Sequence, residues 1–359
     1  MALHVFASIV TKHGVASNNR GENEGNTTTL QKLIWYGEPH TTVSAEAIRF
    51  ALRRRLYEQQ TKGTNGQPAS LHRWWDEAQR VNMWRDFENG KISFENWCDY
   101  ADDDLLGYMA TEEAEKDGGR GSAKVRRAVL EMTRAVSLTS WSGDVVFNAA
   151  SPRATPAAAK GEGDNPVPYA AEIHATRYQY GLAMTPEHLS DPTRATLALL
   201  SLARLGEVAG NHARFLFDFS PDSIILRLTD DPAPRLLYCF ETSDNGKTVD
   251  IADDFKCRVG KDGADIRGEE LIIGGLFAST AAAKALEGMG AKLFPHRVNA
   301  AVQFACNVIR TLITKSNGDN TIESPVKNTA LAWNHIKQAI SAVGKEMQTQ
   351  LRGEAPEGE

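Results

Sequence analysis

Four cysteines in 359 residues, at 98, 239, 257 and 306, are too far apart for a C-x-x-C pair. That spacing indicates neither a zinc knuckle nor a disulfide framework, and the four read as reduced thiols in packing positions. No apolar run is long enough to cross a bilayer and the first residues lack a signal-peptide plan, so the expectation is a cytoplasmic chain with no membrane contact. A general basic excess is missing too: the formal charge is −6 and the isoelectric point near 5.9. Such a chain does not coat nucleic acid with its whole surface, and any contact with it must be local. Neither G-x-x-x-x-G-K nor G-x-S-x-G occurs. Hydrophobic residues at 42% and charged residues at 24% place the chain in the ordinary globular class, long enough for one large or two ordinary domains.

What is present gathers around residues 17–56, SNNRGENEGNTTTLQKLIWYGEPHTTVSAEAIRFALRRRL. A loop carrying Arg20 and Gly21 follows the alternating stretch LHVFASIV, which reads as a strand. Ser44 then opens a helix, with Glu46 in its first turn, that runs to about residue 59. Ala45, Ile48, Ala51, Leu52 and Leu56 share its apolar face. Arg49 and Arg53 flank that face, Arg54 lies opposite, and Arg55 buries its stem. On its own this is an amphipathic helix with a solvated basic side. Its capped start is also an anion site of the ordinary kind.

Other clusters are weighed the same way. Asp99, Asp102, Asp103 and Asp104 suggest a solvated helix start sooner than a metal site, because no spaced partner is evident. His13, His40, His174 and His212 are candidate acids and bases, but a lone histidine beside an apolar run is more often packed or capping. The tryptophans at 74, 75, 84 and 97 have helical spacing and anchor a small core before they stack bases. SPRATPAAAKGEGDNPVPYA, between two strand-like stretches, is a long tip of low complexity. Further on, residues 192–208 read as an amphipathic helix, HARFLFDF, LLYCFE and ELIIGGL as strands, and about 279–289, 297–315 and 325–350 as helices.

The order strand, helix, hairpin, helix, strand is the plan of a ferredoxin-like or RNA-recognition-motif palm in an α+β protein. It lacks the aromatic signature of an ordinary recognition motif, so the plan alone does not license RNA binding. The expected division is a first palm part over 1–59 and a helical fingers insertion over 60–117. A second palm part over 118–230 carries a thumb-like loop at about 149–170. Strands and helices over 231–359 pack on the palm and end in an acidic tail.

NNRGE, LQKLIW and VSAEAIRFALRRRL, followed by DDDLLGYM, RAVSLTSWSGDVVFNAASP, EIHATRYQYGLAMTP and GNHARFLFDFSPDSI, resemble in order the Cas7-like backbone subunit of type I CRISPR Cascade effectors, in its DevR branch, and nearest to a type I-B arrangement. The likeness covers roughly the first two-thirds of the chain and fades toward the C-terminus. It implies a hand-shaped subunit, copied along a guide RNA in a helical filament, that grips ribose and phosphate while base pairing reads target DNA. The implied partners are crRNA, target DNA, other copies of the chain, and a large, a 5′-end capping and a repeat-processing subunit. No catalytic residue, metal or cofactor is implied. Carried over by block, Asn19, Arg20, Ser44, Arg49 and Arg53 are palm candidates for crRNA. Arg120, Lys124 and Arg134 come next, then His174 and Arg177 beside the thumb. Arg153 and Lys160 are placed to touch the strand or the adjoining copy. Two rivals remain open: an RNA-cutting relative, such as a type III backbone subunit with a loop aspartate or a ferredoxin-like repeat-processing endonuclease, and a regulatory protein that binds no RNA.

Overall fold

The computed structural model describes residues 2–18, 20–60, 71–76, 78–79, 81–88, 91–111, 123–150, 167–210, 212, 214–243, 246–261, 263–318 and 333–353. The alternating N-terminal stretch forms β1 (His4–Thr11). Val5, Ala7 and Ile9 lie in one buried cluster and Phe6 and Val10 in another, so the period of two is used with both faces covered. Next come β2 (Gly14–Ala16), β3 (Arg20–Glu24), β4 (Thr27–Leu30), β5 (Lys32–Trp35) and β6 (Glu38–Val43). The stretch read as a loop around Arg20 is thus the start of a β-hairpin. Ser44 opens α1 (Ala45–Gln60), its Oγ accepting from the Ala47 backbone N–H at 3.2 Å. Ile48, Leu52 and Leu56 are fully buried, as their spacing requires.

The helical insertion expected over 60–117 is corrected wherever it is described. It holds β7 (Arg73–Asp76), β8 (Val81–Trp84), β9 (Phe87–Glu88) and β10 (Lys91–Ile92), then α2 (Ala101–Leu106) and β11 (Tyr108–Thr111), with β12 (Ala123–Arg126) beyond its expected end. Aromatic and β-branched residues favour these short hairpins, with Arg73 opposite Trp84 and Met109 opposite Val125. Trp84 and Phe94 stand edge-on to the His72 ring and Tyr100 stacks on it at 4.7 Å, forming a small satellite core.

The chain returns through β13 (Glu131–Met132), β14 (Ala135–Ser137), β15 (Val145–Ala150), β16 (Val167–Glu172), β17 (His174–Thr176) and β18 (Tyr178–Met184). Then follow α3 (Arg194–Leu202) and β19 (Pro221–Thr229). The described residues of HARFLFDF form no strand. Phe217 and Phe219 instead insert their rings against Tyr178 and Tyr180, which satisfies their alternation without a ladder. The rest comprises β20 (Phe240–Glu241), β21 (Asp250–Ile251), α4 (Asp253–Arg258), β22 (Val259–Gly260), β23 (Ile266–Arg267) and β24 (Leu271–Gly275). It ends with α5 (Ala281–Gly288), β25 (Lys292–Pro295), α6 (Val298–Gly318) and α7 (Trp333–Gly353). The strand expected at LLYCFE shrinks to the two residues of β20.

Nine strands make the main sheet, in the order β25-β24-β19-β1-β18-β14-β6-β5, with β13 also on β18. β1 runs antiparallel to β18 and to β19, and β14 antiparallel to β18. One face is covered by α1, α3, α6 and α7, through residues such as Leu52, Leu199, Phe304 and Ile340. The other is covered by the segment from Leu236 to Ala291, through Phe240, Phe255 and Phe277. Each such large apolar side chain contributes about 1.5–3 kcal/mol on burial, so both layers are integral to the sheet.

Candidate nucleic-acid interface

A second sheet stands at the far end of β1, in the order β15-β16-β4-β3. β16 runs parallel to β4, with Ala170 beside Thr27, and antiparallel to β15. The hairpin that begins at Arg20 and the two strands β15 and β16 therefore belong to one sheet; most of the loop expected at about 149–170, residues 151–166, lies outside the described residues. Its root is pinned by polar contacts: Asn18 Nδ2 donates to the Val208 carbonyl at 2.6 Å, and Ser17 Oγ to the Glu172 carbonyl at 3.2 Å. Gly210 has a φ of 106°, and a Cβ there would lie 2.7 Å from the Ser17 carbonyl oxygen, so this close approach needs glycine. Asn19, the side chain of Arg20, Arg120, Arg153 and Lys160 lie outside the described residues.

His174 and Arg177 meet at the junction of the two sheets. His174 is 3% exposed, and its Nδ1 is 2.7 Å from Thr41 Oγ1. Its Nε2 faces the Ser140 carbonyl at 3.2 Å, which assigns the proton to Nε2 and makes Nδ1 the acceptor. Burial pushes its pKa down to about 4, against the Ser140 hydrogen bond and with help from the charges of His40 and His13. The ring is consequently neutral at pH 7. Arg177 is equally enclosed: Nε donates to the Gly246 carbonyl at 3.1 Å, and Nη1 to the Thr11 carbonyl at 3.0 Å and to Asp222 at 2.5 Å. Burial, and then the Arg177 charge, lower the pKa of the neighbouring His13.

Three arginines of α1, at 49, 53 and 55, are turned toward the fold, while Arg54 is exposed. Arg49 donates to the Leu106 carbonyl, and Arg53 Nε lies 3.6 Å from Asp102. Burial lowers the pKa of both guanidinium groups. Arg55 donates to the Leu205 carbonyl at 3.1 Å. The Ser44 hydroxyl is occupied as the helix cap. The expected open basic side of this helix is therefore largely a contact surface for α2 and the residues after α3.

Asp102, Asp103 and Asp104 complete that contact, and the expectation of a solvated helix start is corrected: all three are buried. Asp102 accepts from the backbone N–H groups of His72 and Arg73. Asp103 accepts from His72 Nδ1 at 2.7 Å, and burial raises its pKa. Asp104 gathers Arg126 at 2.5 Å, Arg194 at 2.7 Å, and the backbone N–H and hydroxyl of Ser190. Among the described residues no group of three or more histidine, cysteine, aspartate or glutamate side chains is arranged to hold a metal ion.

Two described candidates present their cations to solvent. Lys124 is exposed on β12. Arg134, also exposed, follows β13 and donates to Gln31 Oε1 and Thr42 Oγ1, each at 3.2 Å, both neutral oxygens. The structure adds groups that charge-based reading passed over: Arg214 over the Tyr169 ring at 4.9 Å, and Trp35 packed with Tyr36 and with Tyr238, whose hydroxyl donates to the Arg134 carbonyl. The signal for Tyr36 was the Tyr-Gly pair between two strand-like stretches.

An α+β chain with these ordered sequence blocks falls in the class of CRISPR-associated proteins. The model of the CRISPR-associated negative auto-regulator DevR/Csa2 matches residues 12–245, and the chain belongs to that family. A curated relative from Myxococcus xanthus (strain DK1622), the CRISPR-associated protein Cas7/Cst2/DevR, is 54% identical over 298 residues, covering 81% of this chain and 90% of the relative. A solved chain of a CRISPR RNA-guided surveillance complex, pre-nicking, aligns with 84% of this chain and all of its own length at a TM-score of 0.46 and 12% identity. Another, from a CRISPR RNA-guided surveillance complex, aligns with 85% of this chain at a TM-score of 0.43 and 15% identity. At that level of likeness the assignment rests on the sequence matches. Among the described residues no helix is long and apolar enough to cross a membrane.

Proposed function

We propose that this chain is the repeated backbone subunit of a CRISPR RNA-guided effector, holding the guide by its sugar-phosphate backbone and presenting it for pairing with target DNA. The observation that carries the reading is the 54% identity to a Cas7/Cst2/DevR protein over 81% of the chain. The strand order β19-β1-β18-β14, all antiparallel, with α1 and α3 in the crossings, supports a ferredoxin-like palm. The β15-β16 arms support a thumb, and its sheet with β3 and β4 would set the early arginine segment beside that thumb. A subunit that accepts any guide needs phosphate and ribose contacts of modest charge repeated over many copies, which fits a net charge of −6 with exposed cations at Lys124 and Arg134. Asn19, Arg20 and Arg120 are assigned with Lys124 and Arg134 to the proposed grip, and Arg153 and Lys160 to contact with the strand or the adjoining copy. Given their internal partners, Ser44, Arg49, Arg53, His174 and Arg177 would shape the grip and leave direct charge contact to the others. The proposed assembly includes further copies in a helical filament and the large, capping and repeat-processing subunits, and the chain itself has a non-enzymatic role.

The test is co-expression with a repeat-spacer array and the neighbouring subunits. The purified complex should carry guide-length RNA, and Arg20→Ala combined with Lys124→Ala and Arg134→Ala should strip most of it. Incubation with labelled guide and target RNA plus magnesium should give no specific cleavage; cleavage would favour the RNA-cutting relative. The family description as a negative auto-regulator favours a second reading, a regulator that binds no RNA. A chain that stays RNA-free and monomeric in the co-expression would establish that reading over the first.

A further inference from the structure

The outer edge of the main sheet carries an aromatic group that core packing does not explain. β5 and β6 are joined by the two-residue turn Tyr36-Gly37, closed by the pair Trp35 and Glu38. Both turn residues have positive φ, 51° and 87°, as in a type I′ hairpin, where the preferred pair is Asn-Gly. A bulky aromatic at the first position is an outlier, because its Cβ crowds the backbone in the left-handed region. Tyr36 is nonetheless 93% exposed, so burial does not offset that cost.

A second tyrosine repeats the anomaly. Tyr238 has a φ of 57°, and its ring lies 5.2 Å from Trp35, while Tyr36 stands edge-on to the same indole at 5.3 Å. Tyr238 is fixed by its hydroxyl, which donates to the Arg134 carbonyl at 2.7 Å. That bond ties the rings to the Arg134 backbone, while the exposed Arg134 guanidinium donates to Gln31 and Thr42 at the other end of the β5-β6 ladder, about 13 Å along the strands from the turn. Exposed Ile34 and Glu38 complete the edge. Backbone strain in two non-glycine residues that converge on one tryptophan is the kind retained at functional positions.

We propose that Trp35, Tyr36 and Tyr238 form a base-stacking platform for single-stranded nucleic acid, with Arg134, farther along the same hairpin, meeting a phosphate of the same strand. Exposed rings suit any base, since every base offers a π face. An apolar protein partner would be poorly served by Arg134 and Glu38 at the rim. The inference rests on the reading above that the chain meets a nucleic-acid strand, and adds to it a base contact that a phosphate grip alone does not make.

Tyr36→Asn separates ring from fold, because asparagine suits the turn. We expect its melting temperature to equal or exceed that of the wild type. Its affinity for a fluorescein-labelled ten-nucleotide uridine RNA, read by anisotropy on the purified full chain, should fall about five- to a hundredfold. Tyr238→Ala should also weaken binding, and an abasic strand of equal length should bind wild type and Tyr36→Asn alike. The platform is overturned if Tyr36→Asn binds as the wild type does, if the abasic strand binds wild type as tightly as the uridine RNA, or if Tyr36→Asn melts lower. Loss of a neighbouring subunit from the co-expressed complex with unchanged RNA affinity would identify the edge as a protein contact and also overturn it. Guide RNA in that complex together with an unaffected Tyr36→Asn defeats the platform alone, whereas a wild-type complex without RNA defeats the reading beneath it.

Discussion

Replacing Asp104 with alanine should destabilise the protein more than any other single change in the acidic run. Its side chain is wholly buried and receives Arg126, Arg194, and the Ser190 backbone N–H and hydroxyl. Hydrogen bonds to a charged group contribute about 1.5–3 kcal/mol each, and four of them would sum to about 6–12 kcal/mol if nothing relaxed. Relaxation is available: Arg126 and Arg194 are 19% and 12% exposed, so both guanidinium groups can regain water once the carboxylate is gone. The range for breaking a buried ion pair, about 3–5 kcal/mol, is therefore the expected loss. Asp104→Asn keeps the shape and one acceptor, and should lose about half as much, roughly 2 kcal/mol. Exposed Asp99 is the control, and Asp99→Asn should stay within about 0.5 kcal/mol of the wild type. Urea unfolding at pH 7 measures all three. Because Asp104 joins α2 to the approach to α3, limited proteolysis of Asp104→Ala should also cut earlier between residues 71 and 111. An Asp104→Ala protein within about 0.5 kcal/mol of the wild type would refute the reasoning, since no other mechanism in the site hides a loss of that size.

His174 gives a pH prediction. Its folded pKa, pushed down to about 4, lies below the ordinary 6.5, so the folded state resists a proton that the unfolded chain accepts. The stabilisation is complete above pH 6.5 and is lost as pH falls toward 4; between pH 7 and 5 the loss should be about 1–2 kcal/mol. His174→Gln should be less stable at pH 7 and show a flatter profile over that interval in thermal melts. Gly107 closes α2 with a φ of 67°, and a Cβ there would collide with the Arg126 carbonyl. Gly107→Ala should cost more than the ~1–2 kcal/mol of a left-handed alanine alone, measured by urea unfolding. Arg134→Ala should weaken RNA binding and reduce its salt dependence by about one counterion, read as the slope of affinity against salt.

Much of the frame was legible. The alternation of residues 4–10 and the Ser44 cap translate directly into β1 and α1, because both depend on near neighbours. Arg49, Arg53 and the aspartates at 102–104 show what was not legible. Each group looks solvated in its own stretch, and only the fold reveals that Arg53 meets Asp102 and Arg49 the Leu106 carbonyl about fifty residues on, while Asp103 and Asp104 find partners elsewhere. The same reason hides the shared sheet of β4 and β16, whose pairing spans more than a hundred residues. Around residues 73–92 the tryptophan spacing was read with the wrong period, since short hairpins and one helical face place aromatics at similar intervals. Phe217 and Phe219 alternate like a strand yet serve as wedges, because the core beneath them accepts rings from a coil.

β1 occupies the middle of the main sheet and is synthesised well before both its neighbours, since β18 and β19 are complete only at residues 184 and 229. At translation rates of about 5–20 residues per second, β1 waits some ten to forty seconds for its second flank. Its doubly apolar surface must be sheltered during that interval, by α1 alone or by a chaperone. Pausing late in the message would lengthen the exposure, and a slower ribosome would be expected to lower the yield of this protein in particular.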